Sequence, residues 1–424
     1  MNAWLSLPPA VQIGLVALAG LAAGSAVNWA IYSLAWFPRP ISPWSRPHSE
    51  APSRPWICRL PVVGWLWLAR EEKLHGRWFW VRPLLLELAL AVGLAGLYAF
   101  EMRGGLWPRL PGLVGPAASI VVWQFISHAL LILLMTAATF IDFDEKTIPD
   151  SITIPGTLLG LALAALVPDS LLPDVAAVPG GMGTLVAAPL QVAAPYPFPA
   201  WLHTGRGLAL GCLIFVLWCA AMIQATCTLR RGWSKGVRYY FVSISRGNSW
   251  RFLAALAALG CGLIAWVWSR GGQSWAMLLT ALVGLAFSGG LIWAVRIVGW
   301  IALRREAMGF GDVTLMAMIG AFLGWQTSLL VFFFSPLSAV IVALAQWAVT
   351  RRHDLAFGPY LCLSALYLIV AWRRVWFGWA DEIFTLGWLL VGLVGACLLL
   401  MLGLLMSFRL VREALSGTDS GSSH

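Results

Sequence analysis

Long runs of apolar residues, almost free of charge, constrain this chain before anything else. They cover approximately 10–36, 83–100, 118–141, 151–168, 205–228, 251–269, 275–303, 313–332, 335–350, 359–372 and 383–408. A bilayer core takes about 20 such residues per helix, and most of these runs reach or approach that length. A soluble core has no use for so much apolar surface. Hydrophobic residues make up 60% of the chain, and charged residues 11% where an ordinary globular chain carries roughly 25%. Disordered, collagen-like and disulfide-knot classes are excluded by the same composition. The expected fold is all-α: a polytopic membrane helix bundle of about eleven transmembrane helices with a small cytoplasmic N-terminal loop domain.

The net charge of +10 raises the question of nucleic acid. The placement of the cations answers it, and no nucleic-acid partner is expected. With the N-terminus outside and spans alternating, the inner loops collect 21 Lys and Arg residues and the outer loops six, with Arg296 inside a span. That asymmetry is the positive-inside signal. It puts the C-terminus in the cytoplasm, makes membrane lipid the surrounding partner, and fits a multi-pass protein of the cytoplasmic (inner) membrane. The first helix has no basic segment before it and reads as an uncleaved anchor rather than a signal peptide.

Four soluble stretches interrupt the runs. Residues 37–82 form a basic cytoplasmic loop rich in Trp and Pro, 169–204 an external loop expected to be irregular, and 229–250 a second basic loop. The tail after Ala414 is rich in Ser and Gly and expected to be disordered. The seven cysteines form no CxxC pair, and six of them lie in or beside apolar stretches, as small buried side chains do.

Two places combine an acid with helix-breaking or glycine-rich backbone at the inner face. One runs from Thr139 through Ile141-Asp142-Phe143-Asp144-Glu145-Lys146 to Pro149-Asp150; the other is Met308-Gly309-Phe310-Gly311-Asp312. An ionisable group at a span is costly and marks a candidate site. Either Asp alone could equally be a boundary residue touching water, with Asp312 favoured as a helix-start acid. Gly309 and Gly311 shift the balance, because they let a substrate backbone approach closely. Two carboxylates brought together repel, so one ionises while the other keeps its proton. That state can activate water and protonate a leaving amine without a metal or a nucleophilic side chain.

These segments resemble the prepilin peptidase (type IV leader peptidase) family, membrane aspartyl proteases of the GxGD type. Met308–Asp312, continuing through Leu315-Met316-Ala317-Met318-Ile319-Gly320 to Trp325, is similar to the family's second catalytic block. Phe140-Ile141-Asp142 with Ile148-Pro149-Asp150 is similar to the first, and Ala356-Phe357-Gly358-Pro359-Tyr360 to its FGP element. Gly24-Ser25 with Asn28 and Ile31-Tyr32, then Leu60–Leu66, then Arg82-Pro83 with Glu87-Leu88, resemble the family's N-terminal blocks. Six ordered blocks across 21–360 are a specific signal.

The resemblance implies an aspartic endopeptidase that cuts basic leaders from prepilin or pseudopilin precursors, as in type IV pilus and type II secretion systems. It implies Asp142 and Asp312 as the catalytic pair, with Gly309, Gly311, Phe357, Gly358 and Pro359 around the substrate. Asp144 competes with Asp142 but points about 200° away on a helix, so only one of them faces the partner. Asp150 is expected to cap the following helix, and Glu87 to serve structure more than chemistry. The implied organisation is a first transmembrane helix (1–36), a cytoplasmic loop domain (37–82) and helices carrying the first catalytic Asp (83–168). An insertion (169–303), the GxGD block (304–372) and an appended C-terminal helix with tail (373–424) follow.

The chain departs from the family in three respects. Family members often carry two CxxC zinc pairs in the N-terminal loop; here Cys58 stands alone, and no zinc or other metal ligand set is expected. Many members methylate the new N-terminus with S-adenosylmethionine, but no glycine-rich cofactor loop is legible, so that cofactor rests on the resemblance alone. A Lys usual two residues after the second Asp is Thr314 here. Two other functions compete: a catalytically silent relative that scaffolds assembly, and an ion-coupled transporter using Asp142 and Asp312 as ligands. No duplicated half supports the transporter.

Overall fold

The computed structural model describes residues 1–48, 50–177, 185–222, 249–304, 308–350 and 357–418, with the side chains of 345–350 and 411–418 left aside. Nearly all of the basic loop 229–250, Ala307, Ala356 and the end of the tail lie outside them.

Among the described residues ten helices carry the bundle: α1 Pro9–Ser33, α2 Val81–Met102, α3 Ala118–Glu145, α4 Asp150–Leu166 and α5 Gly205–Ala221, then α6 Ser249–Arg270, α7 Gly272–Leu303, α8 Phe310–Thr350, α9 Gly358–Val375 and α10 Trp388–Thr418. Eight of them are long and apolar enough to cross a membrane, while α4 and α5 are shorter apolar helices. This is a polytopic helical membrane protein. The runs 313–332 and 335–350 are not separated by a turn. Both fall in the segment α8, which is two helices meeting at a break at Gly324 (φ 81°, ψ 171°), earlier than the sequence places it. Helix α8 packs against α7, α9 and α4; α1 packs against α2, and α5 against α6.

The 169–204 stretch is more ordered than its composition suggests. Strands β1 (Leu113–Val114), β2 (Pro173–Ala177) and β3 (Leu185–Pro189) form a sheet in the order β1-β3-β2. β2 and β3 run antiparallel with Val175 opposite Ala187, and β1 runs parallel to β3. Backbone carbonyls in this region find donors on the helices. Trp372 Nε1 donates to Pro173 O (2.8 Å), Trp325 Nε1 to Val192 O (2.7 Å) and Gln326 Nε2 to Gln191 O (2.7 Å). β1 lies just before the start of α3 and Asp142 lies in its last turn, so the sheet and Asp142 occupy opposite ends of the bundle.

At the Asp142 end, one buried carboxylate joins three separated segments. Glu87 of α2 is fully buried and accepts from Asn28 Nδ2 of α1 (3.2 Å), Trp65 Nε1 (2.9 Å) and the backbone N–H of Val62 (2.5 Å). Val62 sits at φ 64°, rare for a β-branched residue, and the Glu87 bond pins it there. All three N-terminal blocks noted in the sequence converge on this one side chain.

Candidate active site

Helix α3 ends where Lys146 turns left-handed (φ 56°, ψ 33°) and its N–H closes on Asp142 O at 2.9 Å. Three residues later Pro149 is the N-cap of α4. This short connection holds Asp142, Lys146 and Asp150 at one end of the bundle. Helix α8 begins at Phe310, immediately after Gly309, so Asp312 falls in its first turn, where the helix dipole favours an acid. Helix α9 begins at Gly358 with Phe357 as N-cap and Pro359 in its first turn, where a missing N–H costs nothing.

These three helix ends meet around a cavity of about 710 Å³. Asp142, Gly309, Gly311, Asp312 and Phe357 line it, together with Leu34, Ala35, Trp36, residues 146–151, Met308 and Phe310. Asp142 and Asp312 are each almost entirely covered, at 5% and 8% exposure. Oδ2 of Asp142 has no hydrogen-bond partner among the described residues.

Two glycines permit this approach. A Cβ on Gly358 would fall 2.7 Å from Asp142 Oδ2, and one on Gly311 would fall 2.9 Å from Ile148 Cβ and 3.2 Å from its backbone. Only glycine lets α9 and the 309–312 loop close on the end of α3.

The remaining candidates take other places. Asp144 turns toward α2 and pairs with Arg82 through two bonds of 2.7 Å. Asp150 does not cap α4: Pro149 holds the N-cap position without a side-chain bond, and Asp150 is the first helical residue, on the cavity wall. Thr314, where the family has Lys, is buried and donates its hydroxyl to Gly311 O at 3.0 Å.

The loop 37–82 does not fit a zinc ion. Among the described residues no group of three or more His, Cys, Asp and Glu could hold a metal. Burial pushes the Cys58 thiol above its ordinary value, against the thiolate that zinc takes. Glu71 and His75 are already engaged: Arg54 grips Glu71 through Nε (2.8 Å) and Nη2 (2.5 Å), and His75 Nε2 lies 3.1 Å from Glu71. Arg54 Nη1 also donates to Ser42 O (3.1 Å) and Ser45 O (3.2 Å). Burial alone would raise the Glu71 carboxyl, but the bonds and charge of Arg54, with His75, outweigh it and hold it below its ordinary range. An ion cluster therefore ties the loop where a metal would have done so. Glu72 in the same loop accepts from Trp78 N (3.3 Å) and Trp80 Nε1 (2.8 Å).

The sequence reading missed two contributors. The chain leaving α1 (Leu34, Ala35, Trp36) forms one wall of the cavity, and Glu145 holds it. No periodicity joins residues 36 and 145; the signal available was three acids crowded at a helix C-terminus, where acids are disfavoured.

Fold and site together define a polytopic helical membrane protein with two carboxylates in one cavity at one end of its bundle. Within it, residues 250–344, which contain Asp312, match the sequence model of the type IV leader peptidase family. Named proteins are similar over the same kind of short span. A prepilin leader peptidase/N-methyltransferase of Escherichia coli (strain K12) is 32% identical over 88 residues, 20% of this chain and 39% of that protein. One of Pectobacterium carotovorum subsp. carotovorum is 37% identical over 81 residues (18% and 27%), and one of Pseudomonas putida 28% over 123 (28% and 39%). The matched part thus spans no more than 39% of these three relatives. No solved structure matches.

Proposed function

We propose that the protein is an aspartic endopeptidase that removes leader peptides from type IV prepilin-like or pseudopilin precursors at the cytoplasmic face of the inner membrane. The observation that carries this reading is the pair Asp142 and Asp312, from helices far apart in sequence, lining one cavity. The orientation is the one the cation distribution favours, with the N-terminus outside and the C-terminus in the cytoplasm. A precursor then presents its basic leader to the cytoplasm and its apolar helix to the bilayer, and the scissile bond falls at the dyad.

One carboxylate takes a proton from water as the water oxygen attacks the scissile carbonyl carbon. The protonated carboxyl stabilises the resulting tetrahedral oxygen by hydrogen bonding. Collapse breaks the carbon–nitrogen bond, and a proton passes to the departing amine. The water-excluded helix ends strengthen each of these electrostatic contacts. Gly309, Gly311 and Gly358 act by position, since their backbone comes up to the carboxyls without side chains that would fill the cavity, while Phe357 lines it and Pro359 starts α9.

The N-methyltransferase half of the relatives' names supplies a second reading with S-adenosylmethionine as cofactor. It rests on those names. Co-expression with a prepilin, followed by mass analysis of the pilin N-terminus, tests both activities. Loss of the leader supports the peptidase and an added methyl group supports the transferase. An uncut precursor beside a well-expressed, inserted enzyme overturns the peptidase and leaves an assembly scaffold.

A further inference from the structure

Carboxylates in the last turn of a helix face the negative end of its dipole, yet α3 ends with Asp142, Asp144 and Glu145. Each acid after Asp142 has a compensating partner. Asp144 is held by Arg82, with Arg39 Nη1 at 3.9 Å. Glu145 accepts two backbone N–H groups, from Trp36 (2.7 Å, to Oε2) and Phe37 (3.0 Å, to Oε1). The turn carrying them is closed by Arg39 N donating to Tyr32 O at 2.9 Å. One carboxylate thus fixes the chain where it leaves α1.

That chain is part of the cavity. Leu34, Ala35 and Trp36 line it opposite the catalytic helix ends, and α1 brings neither catalytic Asp with it. Its contribution to the cavity is shape. Trp36 is 79% exposed although its backbone is anchored, so a flat apolar ring is presented at the cavity that the two carboxylates line. A rigid indole offers a large contact area at little conformational cost.

We propose that Leu34–Trp36 is a substrate-positioning wall of the cavity, that Trp36 contacts the bound polypeptide beside the scissile bond, and that Glu145 is the positioning residue that holds this wall. The proposal rests on the peptidase reading above and deepens it.

Cleavage kinetics of the full-length membrane protein on a prepilin substrate test it. Trp36→Ala is expected to raise KM about tenfold while kcat stays within about twofold, since the ring binds and does no chemistry. Glu145→Ala should raise KM about tenfold as well, as loss of charge-assisted bonds does, and Glu145→Gln should recover part of the loss. The double variant Trp36→Ala/Glu145→Ala should be no worse than the worse single, because Glu145 acts through the wall. Unchanged KM in Trp36→Ala overturns the wall, and additive losses in the double variant overturn the role of Glu145. Should Glu145→Ala fail to insert, Trp36→Ala, which alters an exposed side chain, carries the test. A wild-type protein that cuts no precursor sinks the peptidase reading itself; wild-type cleavage with an indifferent Trp36→Ala sinks only this proposal.

Discussion

Glu87 and Asp142 are both buried carboxylates near the same end of the bundle, and they differ in what surrounds them. Glu87 accepts three donors from two other segments of chain, and both of its oxygens are engaged. Asp142 has an oxygen without a partner among the described residues and lines a cavity shared with a second carboxyl. Donors that saturate a carboxylate hold the protein around it and leave nothing for chemistry. A carboxyl left under-coordinated beside another acid is costly to stability and can move a proton. The same residue class thus serves as scaffold or as reagent according to its neighbours.

The largest effect expected from breaking this contrast is on rate. Asp142→Asn or Asp312→Asn should each lower precursor cleavage by about 10²–10⁴-fold, with protein level and membrane insertion unchanged on immunoblots. Glu87→Ala should behave in the opposite way. It leaves Trp65 Nε1 and the Val62 N–H without their acceptor, while Asn28 keeps Pro83 O, and should remove about 3 kcal/mol of stability, read as a lower melting temperature and less inserted protein. The molecules that do fold should cleave at near the wild-type rate.

Smaller displacements sharpen the comparison. Gly358→Ala should push the Asp142 carboxyl aside and lower kcat by up to about 10²-fold, as misplacing a reacting group by 1 Å can do. Asp144→Asn, which loosens the Arg82 and Arg39 pairs, should cost less than about 1 kcal/mol and leave kcat within a few-fold.

The smallest effect concerns the loop 37–82. Because the Glu71 carboxyl is held below its ordinary value, its contribution to stability is fully present above its unfolded value of 4.5 and is lost as the pH falls through the lower, folded one. Acid should therefore lower the melting temperature of wild type more than that of Glu71→Gln. Chelation with EDTA should leave it unchanged at neutral pH.

The bundle was legible because apolar runs of membrane length are hard to mistake. The break of α8 at Gly324 was misplaced, because the polar triplet Gln326-Thr327-Ser328 just after it is short and apolar residues resume at Leu329. The strands Pro173–Ala177 and Leu185–Pro189 were hidden by a composition of Pro, Ala and Gly that reads as loop. An indole from α9 holds Pro173 at the start of β2, and indole and amide donors from α8 hold Gln191 and Val192 just after β3, all from more than 130 residues away. At the site, Asp142, Asp312 and their glycines stood out as acids beside helix breaks. Asp150 was placed as a cap when Pro149 holds that position. Glu145 and Trp36 were invisible because their link is a backbone contact across 109 residues.

That Asp142 and Asp312 act as one acid–base unit is tested most directly by cleavage rates of wild type, Asp142→Asn, Asp312→Asn and the double variant on one prepilin. The prediction is that the double variant is no slower than either single, because a dyad that has lost one member has lost its function. Losses that multiply in the double variant, or singles that cleave like wild type, would contradict it.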